Sequence, residues 1–412
     1  MAIFAFTPQL SARLSHGPLS GVVPTYVWHL SEQGYTERSS ENFFCLLANL
    51  NEWLHRRQLQ VSDLTEKTVD QYLKYRNVHF RTLHDDRSIL RRILRLLQDE
   101  GLLETKTRPL INNPHQGVEA DYDRYLSLER GLAASTRLNY RGVVHCFLRA
   151  QRTDKSVSFA ALRPAEVLRI VREEASHLSP QRAGLMVTAL RSFFSYLQQR
   201  GEIRINLAAC VPGIPSWTLA PLPSFLHAHQ VRHVLRQCDR RTSHGRRDHA
   251  ILLLLARLGL RACEVVRLTL DDINWRSGEI TICGKGNRTT RLPLPPDVGQ
   301  TIAMYLKKGR PPCSTRQVFV CLRAPRRGFV NSAAVSTIVA RRLKQGGFAG
   351  PHTGAHLFRH TLATQMLRSG ASFADIAHLL RHRSFNTTAL YAKVDLSSLR
   401  RLAQPWPEGG QQ

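Results

Sequence analysis

The stretch GAHLFRHTLATQML, residues 354–367, sets His356 and Arg359 three positions apart, a spacing that brings both to one side of a helix. An amphipathic helix must carry polar groups on its wet face, so a solvated pair is the plainer reading. The sharper one is a site where an imidazole and a guanidinium reach the same ligand. The rest of the chain decides between them.

At 412 residues the chain is long for one core, which predicts two or three domains. It carries 58 Lys+Arg against 31 Asp+Glu, a formal charge of +27. Such an excess on a globular composition points to a polyanionic partner, above all nucleic acid. Only nine of these cations are lysines; GC-rich codon usage explains arginine over lysine, but not basic over acidic. The longest apolar run, AILLLLARLGL (250–260), is broken by Arg257 and falls short of the roughly 20 residues that span a bilayer. The N-terminus lacks the basic start and cleavage site of a signal peptide. The eight cysteines never fall at metal-ligand spacing, so zinc is not expected, and free thiols suit a reducing cytoplasm.

The N-terminal half repeats. SILRRILRLLQDEG (88–101) aligns with TALRSFFSYLQQRG (188–201) at an offset of 100, and LSEQGYTERSSENFF (30–44) with LSLERGLAASTRLNY (126–140) at an offset of 97. Apolar residues recur at helical spacing in both copies, and Gly101 and Gly201 stand where a helix would be capped. The expected division is a helical segment 1–112, a second helical domain 113–210, a proline-rich linker 211–225 and a third domain 226–412. The third opens with helices and then changes period. EITIC (279–283) and TTRLPLP (289–295) flank GKGNR as a hairpin with Lys285 at its tip. The fold class expected is mainly α with a small antiparallel sheet.

Further on, LGLRACEV places Arg261 three residues before Glu264, and LLRHRSFNTTALYAKV carries His382 near a turn and Tyr391 beyond it. Each of these residues taken alone reads as structural. In order and separation, however, Arg261, Lys285, His356, Arg359, His382 and Tyr391 resemble the active-site set of the tyrosine recombinase (phage integrase) family, Xer-like in type. LGLRACEV resembles its first arginine box, HLFRHTLAT its HxxR box and LLRHRSFNTTALYAKV its closing histidine–tyrosine box. Residues 120–205 resemble its helical, SAM-like core-binding domain, and segment 1–112 looks like a second copy of that module. Two positions depart from the pattern: Arg381 stands where the family usually has glycine, a strained choice if the turn needs φ > 0, and Lys393 where a histidine is common.

The resemblance implies a site-specific recombinase, encoded by a mobile element, that breaks and rejoins DNA through a 3′-phosphotyrosyl intermediate without metal or ATP. Tyr391 is then the nucleophile. Arg261, Arg359 and His382 donate hydrogen bonds to the phosphate, and Lys285 is the general acid. His356 is the base or orienter for Tyr391, and Glu264 holds an arginine. Double-stranded DNA is the partner, bound by a homo- or hetero-tetramer on paired sites, with sister recombinases a further option. Residues 395–402 read as a tail helix of the kind that family members exchange between protomers. Rivals are a DNA-binding relative without activity and a type IB topoisomerase-like enzyme. HLFRH has the paired histidines of a zinc protease, but Leu357 stands where the glutamate is needed.

Overall fold

The computed structural model describes residues 4, 6–80, 85–103, 116–150, 159–214, 224–284, 286, 288–348, 350, 353–382, 387–388 and 390–394. Helices dominate, and the sheet among these residues has three strands in the order β1 (Ile273–Asn274), β2 (Glu279–Cys283), β3 (Thr289–Pro293). β2 and β3 pair antiparallel with Ile280 opposite Leu292 and Ile282 opposite Thr290. This is the expected hairpin. Alternation puts Ile280, Ile282 and Leu292 on the buried face, where they join the core of residues 226–358.

The run AILLLLARLGL forms the axis of that core. Helix Ser243–Leu258 starts at Thr242, whose Oγ1 accepts from the Gly245 N–H at 3.0 Å. It buries residues 250–255 and 258 on all sides, as a helix inside a large domain does. Gly259 ends it at φ 56°, and a Cβ there would stand 2.6 Å from Leu380 Cδ2, so only glycine fits. Near the other end Asp248, fully buried, takes ion pairs from Arg247 (2.8 Å), Arg341 (2.6 Å) and Arg342 (2.6 Å). The last two come from helix Ala333–Gln345, which this carboxylate ties to the axis. Burial opposes its charge, but Arg247 and Arg342 prevail and hold Asp248 below the usual carboxylate range.

Chain contacts divide the molecule into two compact units, residues 1–104 with 221–412 and residues 105–220. Each half of the sequence repeat has its own apolar core. In residues 23–101 the order is helix Val23–Glu32, helix Glu37–Arg56, a 3-10 turn Val61–Asp63, helix Glu66–His79, helix Asp86–Asp99 and a left-handed Gly101 at φ 72°. Residues 116–201 give helix Gln116–Leu128, helix Ala134–Ala150, a 3-10 turn Phe159–Ala161, helix Pro164–Ser176, helix Pro180–Gln199 and Gly201 at φ 74°. Helix Pro8–Ser15 precedes the first series.

The two series differ in charge. Residues 1–104 hold twelve Lys+Arg and twelve Asp+Glu, residues 105–220 sixteen and nine, and residues 221–412 thirty and ten. Pairs within residues 1–104 include Arg13 with Glu52 (2.5 Å), Arg76 with Asp86 (2.8 Å), Arg91 with Glu66 (3.6 Å) and Arg87 with Asp70; residues 105–220 pair internally too, as Arg169 does with Glu173 (3.0 Å).

Candidate active site

Helix His356–Arg368 carries the stretch 354–367. Its first residue, His356, reaches solvent, whereas Arg359 one turn on is buried. Arg359 Nη1 donates to the Gly259 carbonyl at 2.5 Å and Nη2 to the Leu380 carbonyl. The end of the axial helix and the end of helix Phe373–Leu380 thus converge on one guanidinium. Burial, then Arg261 and Arg381, push Arg359 down to about 9, which leaves it a cation at neutral pH. The protein packed around the His356 ring, with Arg359 and Arg261 near it, lowers the pKa of that imidazole despite its access to water.

Arg261 caps the short helix Ala262–Arg267, and Glu264 organises it. Glu264 Oε2 accepts the Arg261 backbone N–H and Oε1 accepts Arg261 Nη1, both at 2.8 Å. The carboxylate is buried, which opposes its charge, but Arg381 and Arg261 keep it ionised below the usual range. A Cβ on Gly284, the residue before Lys285, would lie 3.8 Å from Glu264 Oε1, so the hairpin turn leaves from beside this carboxylate. Lys285 itself lies outside the described residues.

Arg381 follows helix Phe373–Leu380 in the left-handed conformation, φ 56° and ψ 48°. For a residue with a Cβ this costs roughly 1–2 kcal/mol. The sequence shows the strain, and the structure adds what accompanies it: Arg381 Nη2 donates to Glu264 Oε2 at 2.8 Å. The next residue, His382, meets Thr388 Oγ1 through Nδ1 at 2.8 Å. Burial, then Arg359 and Arg261, push His382 down to about 4, so it is neutral at pH 7.

Tyr391 sits in the 3-10 turn Leu390–Val394 and is buried, packed with Ala363, Ile376 and Leu380. Its ring is parallel to His382, the centroids 6.4 Å apart. Burial raises the phenol to about 12, opposed by Arg359 and Arg261. Its hydroxyl lies 3.0 Å from Nδ1 of His360, not on His356. Sequence reasoning missed His360. The signal is present in HLFRH, whose second histidine lies one turn beyond the first, but that spacing alone does not say which histidine meets the tyrosine.

The folded chain therefore gathers Arg261, Glu264, His356, Arg359, His382 and Tyr391 in one place and adds His360 and Arg381. Two guanidinium cations stand beside a phenol, an arrangement suited to an anion whose charge grows during attack.

Residues 224–397 match the phage integrase family, and residues 120–201 match the phage integrase N-terminal SAM-like domain. An integrase/recombinase of Sinorhizobium fredii, y4rA, is 42% identical over 399 residues, covering 96% of each chain. The chain belongs to the phage integrase family. The XerD tyrosine recombinase of Listeria innocua is 30% identical over 284 residues, 66% of this chain and 93% of that one. Among solved structures, the XerH site-specific recombinase bound to its difH substrate shares the fold, with a TM-score of 0.56 at 17% identity over 82% of this chain and 95% of that one. As expected from its motifs, this integrase is a tyrosine recombinase, and its fold is mainly helical with one small antiparallel sheet. Among the described residues no helix is long and apolar enough to cross a membrane.

Proposed function

We propose that this recombinase cuts and rejoins duplex DNA through Tyr391. The observation that carries the reading is the buried Tyr391 hydroxyl, 3.0 Å from an imidazole nitrogen and beside Arg359 and Arg261. The phenol oxygen attacks the scissile phosphorus and the P–O5′ bond breaks, leaving a 3′-phosphotyrosyl link. The 5′-oxygen leaves with a proton from Lys285. A 5′-hydroxyl from the partner strand then attacks the same phosphorus, and tyrosine regains its proton. Because one ester replaces another, no external energy source is needed. Arg261 and Arg359 stabilise the non-bridging oxygens, with His382 as a third donor. His360 takes the task first given to His356, holding the hydroxyl and receiving its proton. His356, at the helix start and open to solvent, is left to meet the DNA phosphate.

The domain division follows from the same reading: a first helical module in 1–112, the core-binding module in 113–210, a linker in 211–225 and the catalytic domain in 226–412. The first is a duplicate of the second, supported by the shared order of helices and turns. Most of linker 211–225 and the tail helix lie outside the described residues. The basic excess of residues 105–412 suits a clamp on the DNA backbone. We place the active species as a tetramer on paired sites, in the cytoplasm of a bacterium and borne by a mobile element.

The test is covalent trapping. Wild type and Tyr391→Phe are mixed, without metal, with nicked duplexes tiled across the DNA flanking the gene. A denaturant-resistant adduct from the wild type alone supports the reading. Adduct from both proteins moves the nucleophile elsewhere, and native-gel binding without adduct sinks the cleavage reading in favour of a DNA-binding role.

A further inference from the structure

Glu264 is the meeting point of two guanidinium groups. Arg261 holds Oε1 and, through its backbone, Oε2; Arg381 reaches Oε2 from a helix end more than a hundred residues away in sequence. The Arg381 side chain is 9% exposed and that of Glu264 1%. Arg381 Nη1 also donates to the Leu379 carbonyl at 2.9 Å, so its fork is fixed at both prongs. Its backbone leads straight into His382, whose N–H caps the same helix on the Ala377 carbonyl at 3.0 Å. The preceding carbonyl, Leu380, is the one Arg359 grips. Glycine would adopt this φ without strain, so arginine stands here against a local conformational cost.

We propose that Arg381 is a positioning residue for strand cleavage, binding the helix end that carries His382 to the arginine box through Glu264. This rests on the recombinase reading above. The consequence is both geometric and electrostatic. With Arg381 present, the Glu264 charge is shared, and Arg261 keeps more of its own charge for a phosphate. Without it, Glu264 is answered by Arg261 alone and His382 loses its tether. A charge-assisted contact of this kind is worth about one to two powers of ten in rate.

The experiment measures the rate of covalent adduct formation on the trapping duplex, at saturating protein, for Arg381→Gly, Arg381→Gln and Arg381→Lys. Arg381→Gly relieves the left-handed turn but leaves the buried Glu264 carboxylate to Arg261 alone, so it is expected to fold with a somewhat lower melting point and to react about ten-fold or more slowly at a temperature where it is fully folded. Arg381→Gln should be comparably slow and Arg381→Lys intermediate. Added guanidinium ion should restore part of the rate to Arg381→Gly and none to Arg381→Gln, whose side chain fills the space; a purely structural role would show no such rescue. Wild-type adduct with an equal rate from Arg381→Gly or Arg381→Gln overturns the positioning role and leaves the recombinase reading standing. No adduct from wild type overturns both.

Discussion

The Tyr391 hydroxyl and Nδ1 of His360 stand 3.0 Å apart, joined across 31 residues of sequence. A phenol raised to about 12 is protonated at neutral pH, so attack needs a group at that oxygen to accept its proton. His360→Ala is expected to lower the adduct rate by about 10²-fold or more while leaving DNA affinity within about two-fold, as general-base losses do. His356→Ala should weaken the phosphate contact without removing the base. Stopped reactions on the trapping duplex, run beside gel-shift titrations, separate the two. Equal loss in both variants would return the base role to His356.

Stability should fall on acidification in two stages. His382 is held near 4, below the ordinary imidazole value of about 6.5, so the folded state binds fewer protons than the unfolded chain between those values. Its contribution is whole above about pH 6.5 and is lost as pH falls toward 4. Asp248 and Glu264 are also depressed, so theirs is lost only below the ordinary carboxylate range of about 4. Thermal midpoints measured from pH 8 to 3 should show both stages, and His382→Gln should reduce the first, to which the lowered His244, His249 and His356 also contribute. A midpoint unchanged between pH 7 and 4.5 in the wild type would contradict the half-buried, neutral imidazole.

Asp248 has no water to fall back on. Replacing it with asparagine leaves Arg247 and Arg342 buried beside a neutral amide, and the loss of one partner of such a cluster costs about 3–5 kcal/mol. Urea melts followed by tryptophan fluorescence give the figure directly. A loss below about 1 kcal/mol would show that the arginines find other partners.

The charge count predicts where salt acts. Arg87 and Arg91 already face Asp70 and Glu66 in the neutral first segment. Arg87→Gln with Arg91→Gln should leave the slope of log affinity against log salt unchanged, whereas each lost phosphate contact would reduce it by about 0.9. Fluorescence anisotropy of a labelled duplex over a salt series reads that slope. A reduction near two would place both arginines on the DNA.

The hairpin, the repeat and the boxes that hold Arg261, Arg359, His382 and Tyr391 were legible because each is a local pattern: alternation, helical period, fixed spacing. His360 was not, because helical spacing tells which residues share a face but not which one a segment 31 residues away will meet. The ionic knot at Asp248 escaped for the same reason, since two of its arginines arrive from residues 341 and 342. Arg381 was legible as an oddity, and the compensating contact with Glu264 was visible only after folding.

The paired glycines at 101 and 201 turn at φ 72° and 74°, and the register between the two helical series drifts by only three residues, from 97 to 100. The two helical series thus turn at matching places to within a few degrees in φ, while residues 1–104 carry no formal net charge and residues 105–220 carry +7 (16 − 9). The two series therefore share a shape and differ in their pull on a polyanion, a contrast that helical geometry alone does not carry.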